Sequence, residues 1–317
     1  MHRKIIVCLA LVLTLPVLLS CRAGTGAGGG TGAAGGIGAT CPPGPSGMPG
    51  AAGSGATDNA ASMSRGMRLA ETGDTEGAAR EFGQAASENP ADAAAFNNRG
   101  SALMEAGKLD EAMCDFDRAV SLRPDYAVAY FNRAQIYGAR GLRGEALADY
   151  DRAIQYAPRL ADAYFGRAVQ RLESGDASGA LADCDRAMEI DPAFAPARFV
   201  HGLANAQLGR DDQAIDDFTK ALAREQRYAE AYYQRGLLFA KHKQNAKAIE
   251  DFTKAAAAEP VFAEALRQRG RVHASLGNHK QAVADFAKAL EIDPSDKETQ
   301  ADLARSQAAL GNGKKGK

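Results

Sequence analysis

The chain has 317 residues and a formal net charge of −1, from 38 basic and 39 acidic side chains. The chain has no surplus of basic residues of the kind that nucleic-acid-binding proteins carry, so no nucleic-acid partner is predicted. It also has no block of acidic residues that would indicate a disordered acidic tail. The five cysteines have neither the spacing of a metal site nor that of a compact disulfide framework.

The first twenty residues have the layout of an export signal. Arg3 and Lys4 precede an apolar run from Ile5 to Leu19, and that run is short for a membrane span. Residues 1–20 are therefore assigned to a signal peptide. A plain secretory leader, cut in the Ala-rich stretch that follows, is the alternative.

The apolar run ends in the letters LLSC, residues 18–21, which resemble the lipobox of bacterial lipoproteins. That resemblance implies cleavage before Cys21, a thioether from its thiol to diacylglycerol, and acylation of the new amine, for example with palmitate. Because two or three acyl chains anchor a protein stably, we expect an exported chain, lipid-anchored to an envelope membrane and facing the periplasm. Arg22, in place of Asp, favours the outer membrane if the host is Gram-negative.

Residues 21–57 join the modified cysteine to a Gly/Ala/Pro-rich segment with almost no large apolar side chain. Such a composition cannot bury enough surface to fold, so we predict a flexible tether. Cys41 is a leftover thiol in this tether. Pairing with another chain and chemical indifference both remain open for it.

A period of 34 residues begins at residue 59 and continues through seven repeats, which end at residues 92, 126, 160, 194, 228, 262 and 296. Alanine occupies positions 20 and 27 of every repeat, position 8 is Gly or Ala, and position 24 is aromatic except at Cys184. Apolar spacings of three and four residues predict two helices per repeat. Glycine at position 15 suits the left-handed end of the first helix, whereas Lys243 at that position predicts strain or an altered turn.

Period and residue columns together resemble the tetratricopeptide repeat, over about three quarters of the chain. The resemblance implies an all-α fold, an α-solenoid (superhelix) of seven helix-turn-helix repeats across residues 58–296. Residues 297–310 are expected to form a capping helix, and residues 311–317 a basic disordered tail. Cys114 and Cys184 fall in predicted helices two repeats apart, and we expect both to be small buried hydrophobes.

The sequence contains no pattern typical of catalysis. The five histidines lack ligand spacing, no nucleophile stands beside a plausible base, and no phosphate-binding loop opens a helix. We therefore predict a non-enzymatic protein without cofactor or metal. Position 7 is Arg or His and position 23 is Asp in the last six repeats, and we interpret both columns as structural hydrogen bonds rather than a ligand site.

In the tetratricopeptide repeat family the first helices line a concave groove, chiefly through positions 2, 5, 6, 9, 12 and 13. Position 5 carries four consecutive aromatic residues here, and position 6 adds amides. The resemblance therefore implies a groove for a peptide or protein segment, formed by Asn98, Phe131, Asn132, Phe165, Phe199, Tyr233 and Gln234. The alternative is that some of these rings pack against their own repeat.

These features predict a protein–protein interaction scaffold or adaptor, anchored to the membrane through its lipid. A role in assembling an envelope complex would suit such a protein. The alternative is a regulatory or carrier subunit of an envelope enzyme that acts on the cell wall or on glycans.

Overall fold

The structure is a computed structural model that describes residues 55–315, with side chains from residue 58 to residue 311. The predicted signal peptide, Cys21, and most of the tether including Cys41 lie outside the described residues, as does the end of the tail. Within the described part of the chain the fold is all-α, with fifteen helices and no strand.

Helices alternate as the first and second members of each repeat. The first helices are α1 (Gly55–Glu71), α3 (Ala93–Glu105), α5 (Ala127–Ala139), α7 (Ala161–Glu173), α9 (Ala195–Gln207), α11 (Ala229–Lys241) and α13 (Ala263–Ser275). The second helices are α2 (Thr75–Glu88), α4 (Leu109–Leu122), α6 (Arg143–Tyr156), α8 (Ala177–Ile190), α10 (Asp211–Arg224), α12 (Asn245–Ala258) and α14 (His279–Ile292). The last helix, α15 (Lys297–Lys315), extends beyond the expected end at residue 310.

The chain divides between Gln170 and Arg171 into two compact units. In the first unit each helix from α1 to α6 packs on the next, and α3 also contacts α5. In the second unit the helices from α8 to α15 follow the same order, with further contacts from α11 to α13 and from α13 to α15. The first helices of the second and third repeats, and those of the sixth and seventh, are therefore neighbours.

Close contact between the two helices of a repeat explains the columns of small residues. Ala146 and Ala153, at positions 20 and 27 of the third repeat, are completely buried. In the second repeat a Cβ atom placed on Gly100 would lie 2.7 Å from the ring of Phe116. The ring therefore takes the space that a side chain at position 8 would need. Burial of one such ring stabilises the fold by about 1.5–3 kcal/mol.

A left-handed residue ends each first helix from α1 to α13. At Gly141, φ is 73°, and the amide of Leu142 donates to the carbonyl of Tyr137 over 2.9 Å, as in a Schellman motif. Lys243 adopts the same conformation with φ of 58°. The turn is thus kept in the sixth repeat, and the strain is borne by the Lys243 backbone.

The two cysteines within the described residues differ in their environment. Cys184 takes the position of the aromatic ring in the fourth repeat, is completely buried, and has a free thiol whose pKa is raised by that burial. Cys114 is half-buried and disulfide-bonded. The expectation of a small buried hydrophobe is therefore confirmed for Cys184 and wrong for Cys114.

Candidate functional site

The aromatic side chains at position 5 lie inside the repeats. Phe131, Phe165 and Phe199 are 2%, 4% and 2% exposed. The ring centroid of Phe131 is 6.1 Å from that of Tyr150, and the centroid of Phe199 is 5.6 Å from that of Phe218. The expectation that these three rings face an open groove is therefore wrong. At Phe131 and Phe199 the second helix presents its position-24 ring to the same space.

Amides of α3 and α5 form one hydrogen-bonded cluster in the first unit. Asn132 donates from Nδ2 to Asn97 Oδ1 and to Ser101 Oγ, both over 3.1 Å. Asn97 donates in turn to Asn98 Oδ1 over 3.2 Å. Asn97 and Asn132 are buried, whereas Asn98 is half-buried. The structure thus joins the predicted Asn98 and Asn132 through Asn97, and Asn98 is the least buried of these three amides.

Gln234 lies in an acidic environment in the second unit. Burial raises the pKa of Glu230, also on α11, to about 7, and the negative charges of Glu259 and Glu264 act in the same direction. A hydrogen bond from Gln234 opposes this shift. A carboxyl group with this pKa is partly protonated at neutral pH, so a cation placed beside it would favour its ionised form.

Tyr233 connects α11 with the two helices that follow. Its ring centroid lies 5.9 Å from that of Phe252 and 5.0 Å from that of Phe262. Burial raises the pKa of the Tyr233 hydroxyl, the nearby charge of Arg267 opposes the shift, and Gln268 hydrogen-bonds the side chain. Half-buried Tyr233 is therefore a packing residue with a polar end, and it lies beside the acidic group around Glu230.

Glu230 and Glu264 are functional candidates that the sequence interpretation did not single out. Both occupy position 2, in the sixth and seventh repeats. Since α11 contacts α13, equal positions on these helices lie close together. The 34-residue period was therefore the signal that could have paired them.

The charged columns at positions 7 and 23 hold the helix pairs together. Arg133 donates to both carboxylate oxygens of Asp149, over 2.6 and 2.9 Å, and to Asp117 of the preceding repeat over 2.6 Å. The same two-pronged pairing joins Arg99 with Asp115, Arg235 with Asp251, and Arg269 with Asp285. The structural interpretation of these pairs is confirmed.

His201 replaces arginine at position 7 of the fifth repeat. Its Nδ1 lies 2.7 Å from Asp217 Oδ2, and its Nε2 lies 3.4 Å from Asp185 Oδ1. Asn205 also donates to Asp217, over 2.9 Å, and the guanidinium of Arg198 approaches it to 3.6 Å. Asp217 therefore has three partners, where the second, third, sixth and seventh repeats use the two-pronged pairing with one arginine.

Two other kinds of site can be assessed in the part of the chain that the structure covers. Between residues 55 and 315, no helix combines the length and apolarity needed to cross a membrane. Among these residues, no cluster of histidine, cysteine and acidic side chains could hold a metal ion.

The tetratricopeptide repeat signature matches four segments that together span most of the chain: residues 63–127, 131–195, 199–257 and 233–297. The chain belongs to the tetratricopeptide repeat family. Proteins of this family are generally non-enzymatic scaffolds for protein interactions, and the match indicates no catalytic family. No curated protein matches the sequence.

Solved tetratricopeptide repeat structures share the fold. A protein from Parabacteroides merdae is 22% identical over 79% of this chain and 99% of its own, with a TM-score of 0.59. PilW, described as a type IV pilus biogenesis factor, is 19% identical over 67% of this chain and 98% of its own, with a TM-score of 0.61. YrrB, described as having an unusual peptide-binding site, is 26% identical over 60% of this chain and 98% of its own, with a TM-score of 0.50. These neighbours identify the helical solenoid.

Proposed function

We propose that the chain is a non-enzymatic adaptor that binds a protein segment on the first helices of its repeats, while a lipid on Cys21 holds it at an envelope membrane. The observation that carries the binding function is the pair of half-buried polar side chains Glu230 and Gln234 on α11 of the second unit; in the first unit the half-buried Asn98 on α3 is a separate polar position. The lipobox-like sequence before Cys21 supports the anchor. The family membership supports a protein partner.

The chemistry of these side chains describes the segment that would bind. Asn98 and Gln234 carry amides, which both donate and accept hydrogen bonds and so suit a peptide backbone. Glu230 is surrounded by further negative charge from Glu259 and Glu264. A lysine or arginine of the partner would relieve this repulsion, so we propose a partner segment with a basic side chain at this place.

Site-specific photocrosslinking in native membranes tests the binding surface. A photoreactive residue at Gln234 is expected to give a discrete adduct with one partner, and Glu230→Gln is expected to weaken it. The matched control is the same photoreactive residue at Lys280, an exposed position on the second helix α14. Equal adducts at both positions, or none at Gln234, would exclude this surface.

Metabolic labelling with a radioactive fatty acid tests the anchor separately. The wild-type chain is expected to incorporate the label, and Cys21→Ala is expected to lose it. Cys41→Ala is the matched control and is expected to keep the label. A labelled Cys21→Ala variant, or an unlabelled wild type, would contradict lipidation at Cys21.

The anchor also has a consequence for the disulfide at Cys114. Cleavage before Cys21 removes Cys8, and the thioether consumes the Cys21 thiol, so the proposal leaves Cys41 to pair with Cys114. Their two thiols lose two electrons and two protons to an envelope disulfide oxidant, which becomes a dithiol. Peptide mapping without reduction is expected to recover a Cys41–Cys114 pair. A Cys21–Cys114 pair would contradict both assignments.

A further inference from the structure

Positions 4 and 30 of a repeat face each other across the helix pair. In the third repeat Tyr130 and Tyr156 stack with ring centroids 5.9 Å apart. The guanidinium of Arg152, at position 26, lies 5.4 Å from the centroid of the Tyr130 ring. In the first repeat Ser62 donates to Glu88 over 3.3 Å at the same two positions. Side chains that attract each other therefore occupy this place in both repeats.

The fifth repeat has basic side chains at all three of these positions, Arg198, Lys220 and Arg224. Position 4 is aromatic in the second, third, fourth and sixth repeats, so Arg198 is the departure that removes the ring. The three cations border a surface cavity of about 260 Å³ that is open to solvent, whose other lining residues are Pro192, Ala193, Phe194, Ala195 and Ala223. The cavity therefore combines apolar walls with a positive rim.

The three cations around the cavity differ in their partners. Lys220 Nζ lies 2.6 Å from Asp216 Oδ2, and Arg198 Nη1 lies 3.6 Å from Asp217 Oδ1. Arg224 forms no ion pair with any residue that the structure describes. Asp191 also lies at this edge, where its Oδ1 accepts from the amide of Ala193 over 2.9 Å. Arg224 is therefore the lining cation whose guanidinium has no paired carboxylate among the described residues. A single negative charge between Arg198 and Arg224 would pair with Arg224 and relieve the repulsion between the two guanidinium groups.

We propose that this cavity binds the carboxylate of an acidic side chain from a protein partner. Guanidinium groups pair with carboxylates through two parallel hydrogen bonds, and the rings of Phe194 and Pro192 can cover the methylenes of a glutamate. The site deepens the proposed function, on which it rests for the source of the carboxylate. The carboxylate site itself stands on the cavity and its charges.

Ligand-observed saturation-transfer NMR with the full chain tests the site without a natural partner. The probe is acetyl-glutamate amide, and its neutral isostere acetyl-glutamine amide is the control. We expect the glutamate probe to bind weakly, with an affinity that falls as the salt concentration rises. We expect the glutamine probe to bind at least about tenfold more weakly than the glutamate probe. Equal binding of the two probes, or binding of neither, would overturn the proposal. Stronger binding of inorganic phosphate than of the glutamate probe would overturn the assignment to a carboxylate.

Two variants borrow side chains that other repeats carry at the same positions, so both are expected to keep the fold. Arg198→Tyr restores the ring of position 4, and Arg224→Ile matches Ile190 and Ile292. Each is expected to weaken the glutamate probe at least about tenfold, with unchanged circular dichroism. Arg227→Gln, which does not line the cavity, is expected to bind as the wild type does. Unchanged binding by Arg198→Tyr would place the probe elsewhere and refute the site, whatever the outcome of the crosslinking and labelling experiments.

Discussion

The two units use the same repeat positions for different purposes. In the first unit Tyr130 and Tyr156 close the space between the helices of the third repeat. In the second unit Arg198 and Arg224 leave a cavity at the corresponding positions of the fifth repeat. The ring of Phe218 is fully buried in that repeat all the same. Positions 8, 20, 24 and 27 therefore maintain the helix pair, so the side chains at positions 4 and 30 can differ between repeats without loss of that pair.

The largest expected effect concerns the position-7 column. Arg133→Ala removes the guanidinium group that donates to both carboxylate oxygens of Asp149, whose side chain is only 4% exposed. The loss in unfolding free energy is expected to be about 3–5 kcal/mol. His201→Ala is expected to cost about 1–2 kcal/mol, because Asp217 keeps Asn205 and Arg198 as partners. Urea unfolding followed by circular dichroism measures both. Equal losses would mean that the third and fifth repeats do not differ in how they hold these carboxylates.

A second variant makes the third repeat resemble the fifth. Tyr130→Arg removes a buried ring from its stack with Tyr156 and places a cation beside Arg152. We expect a loss of about 2–3 kcal/mol in unfolding free energy. The reciprocal change Arg198→Tyr is expected to cost less than Tyr130→Arg, because Asp217 keeps His201 and Asn205 as partners. A stable Tyr130→Arg protein would show that the stack contributes little and that the fifth repeat needs no ligand to explain its arginines.

The pH dependence of stability tests the acidic face of the second unit. The folded-state pKa of Glu230 is raised to about 7 from its ordinary value of 4.5, so the folded state binds the proton of this carboxyl group more tightly than the unfolded state does. The contribution of this proton to the free energy of unfolding is fully present below about pH 4.5 and is lost as the pH rises through 7. Glu230→Gln is therefore expected to be about 1–3 kcal/mol more stable than the wild type at pH 8, and nearly equal to it at pH 5. Urea unfolding from pH 5 to pH 8 measures this difference. A difference that does not change with pH would contradict the raised pKa.

The smallest expected effect lies in the turn of the sixth repeat. Lys243→Gly removes the strain of a side-chain-bearing residue in the left-handed conformation. Because glycine also increases the conformational freedom of the unfolded chain, the net gain in unfolding free energy is expected to be only about 0.5–1 kcal/mol. Gly141→Ala places a side chain in the same conformation in the third repeat and is expected to destabilise it by about 1–2 kcal/mol. Thermal unfolding of the two variants should shift in opposite directions. Shifts of the same sign would contradict strain at Lys243.

The fold could be predicted from sequence because its determinants recur. Small residues at positions 8, 20 and 27 and the ring at position 24 report the same contact in successive repeats, as the pair of Gly100 and Phe116 illustrates. The site could be predicted only in part. Phe131 and Phe199 fit the expected groove column, yet their burial depends on which side of α5 and α9 the second helix covers. The period alone does not contain that information.

The cavity beside Arg198 and Arg224 could not be predicted from the sequence either. Arg198 and Arg224 stand twenty-six residues apart and each looks like an ordinary charged surface residue. Their relation appears only when positions 4 and 30 are known to face each other, as Tyr130 and Tyr156 show. Departures from a repeat pattern are therefore most informative when the structure shows which departures are neighbours.

Because Cys184 is buried, the reactivity of its thiol reports local opening of the second unit. Cys184 is the one cysteine between residues 171 and 317, and its buried thiol has too high a pKa to react while α8 is packed. Alkylation must therefore wait for a local opening that exposes the sulfur. The rate at which a small thiol reagent modifies Cys184 measures how often the second unit opens, with no substitution in the chain.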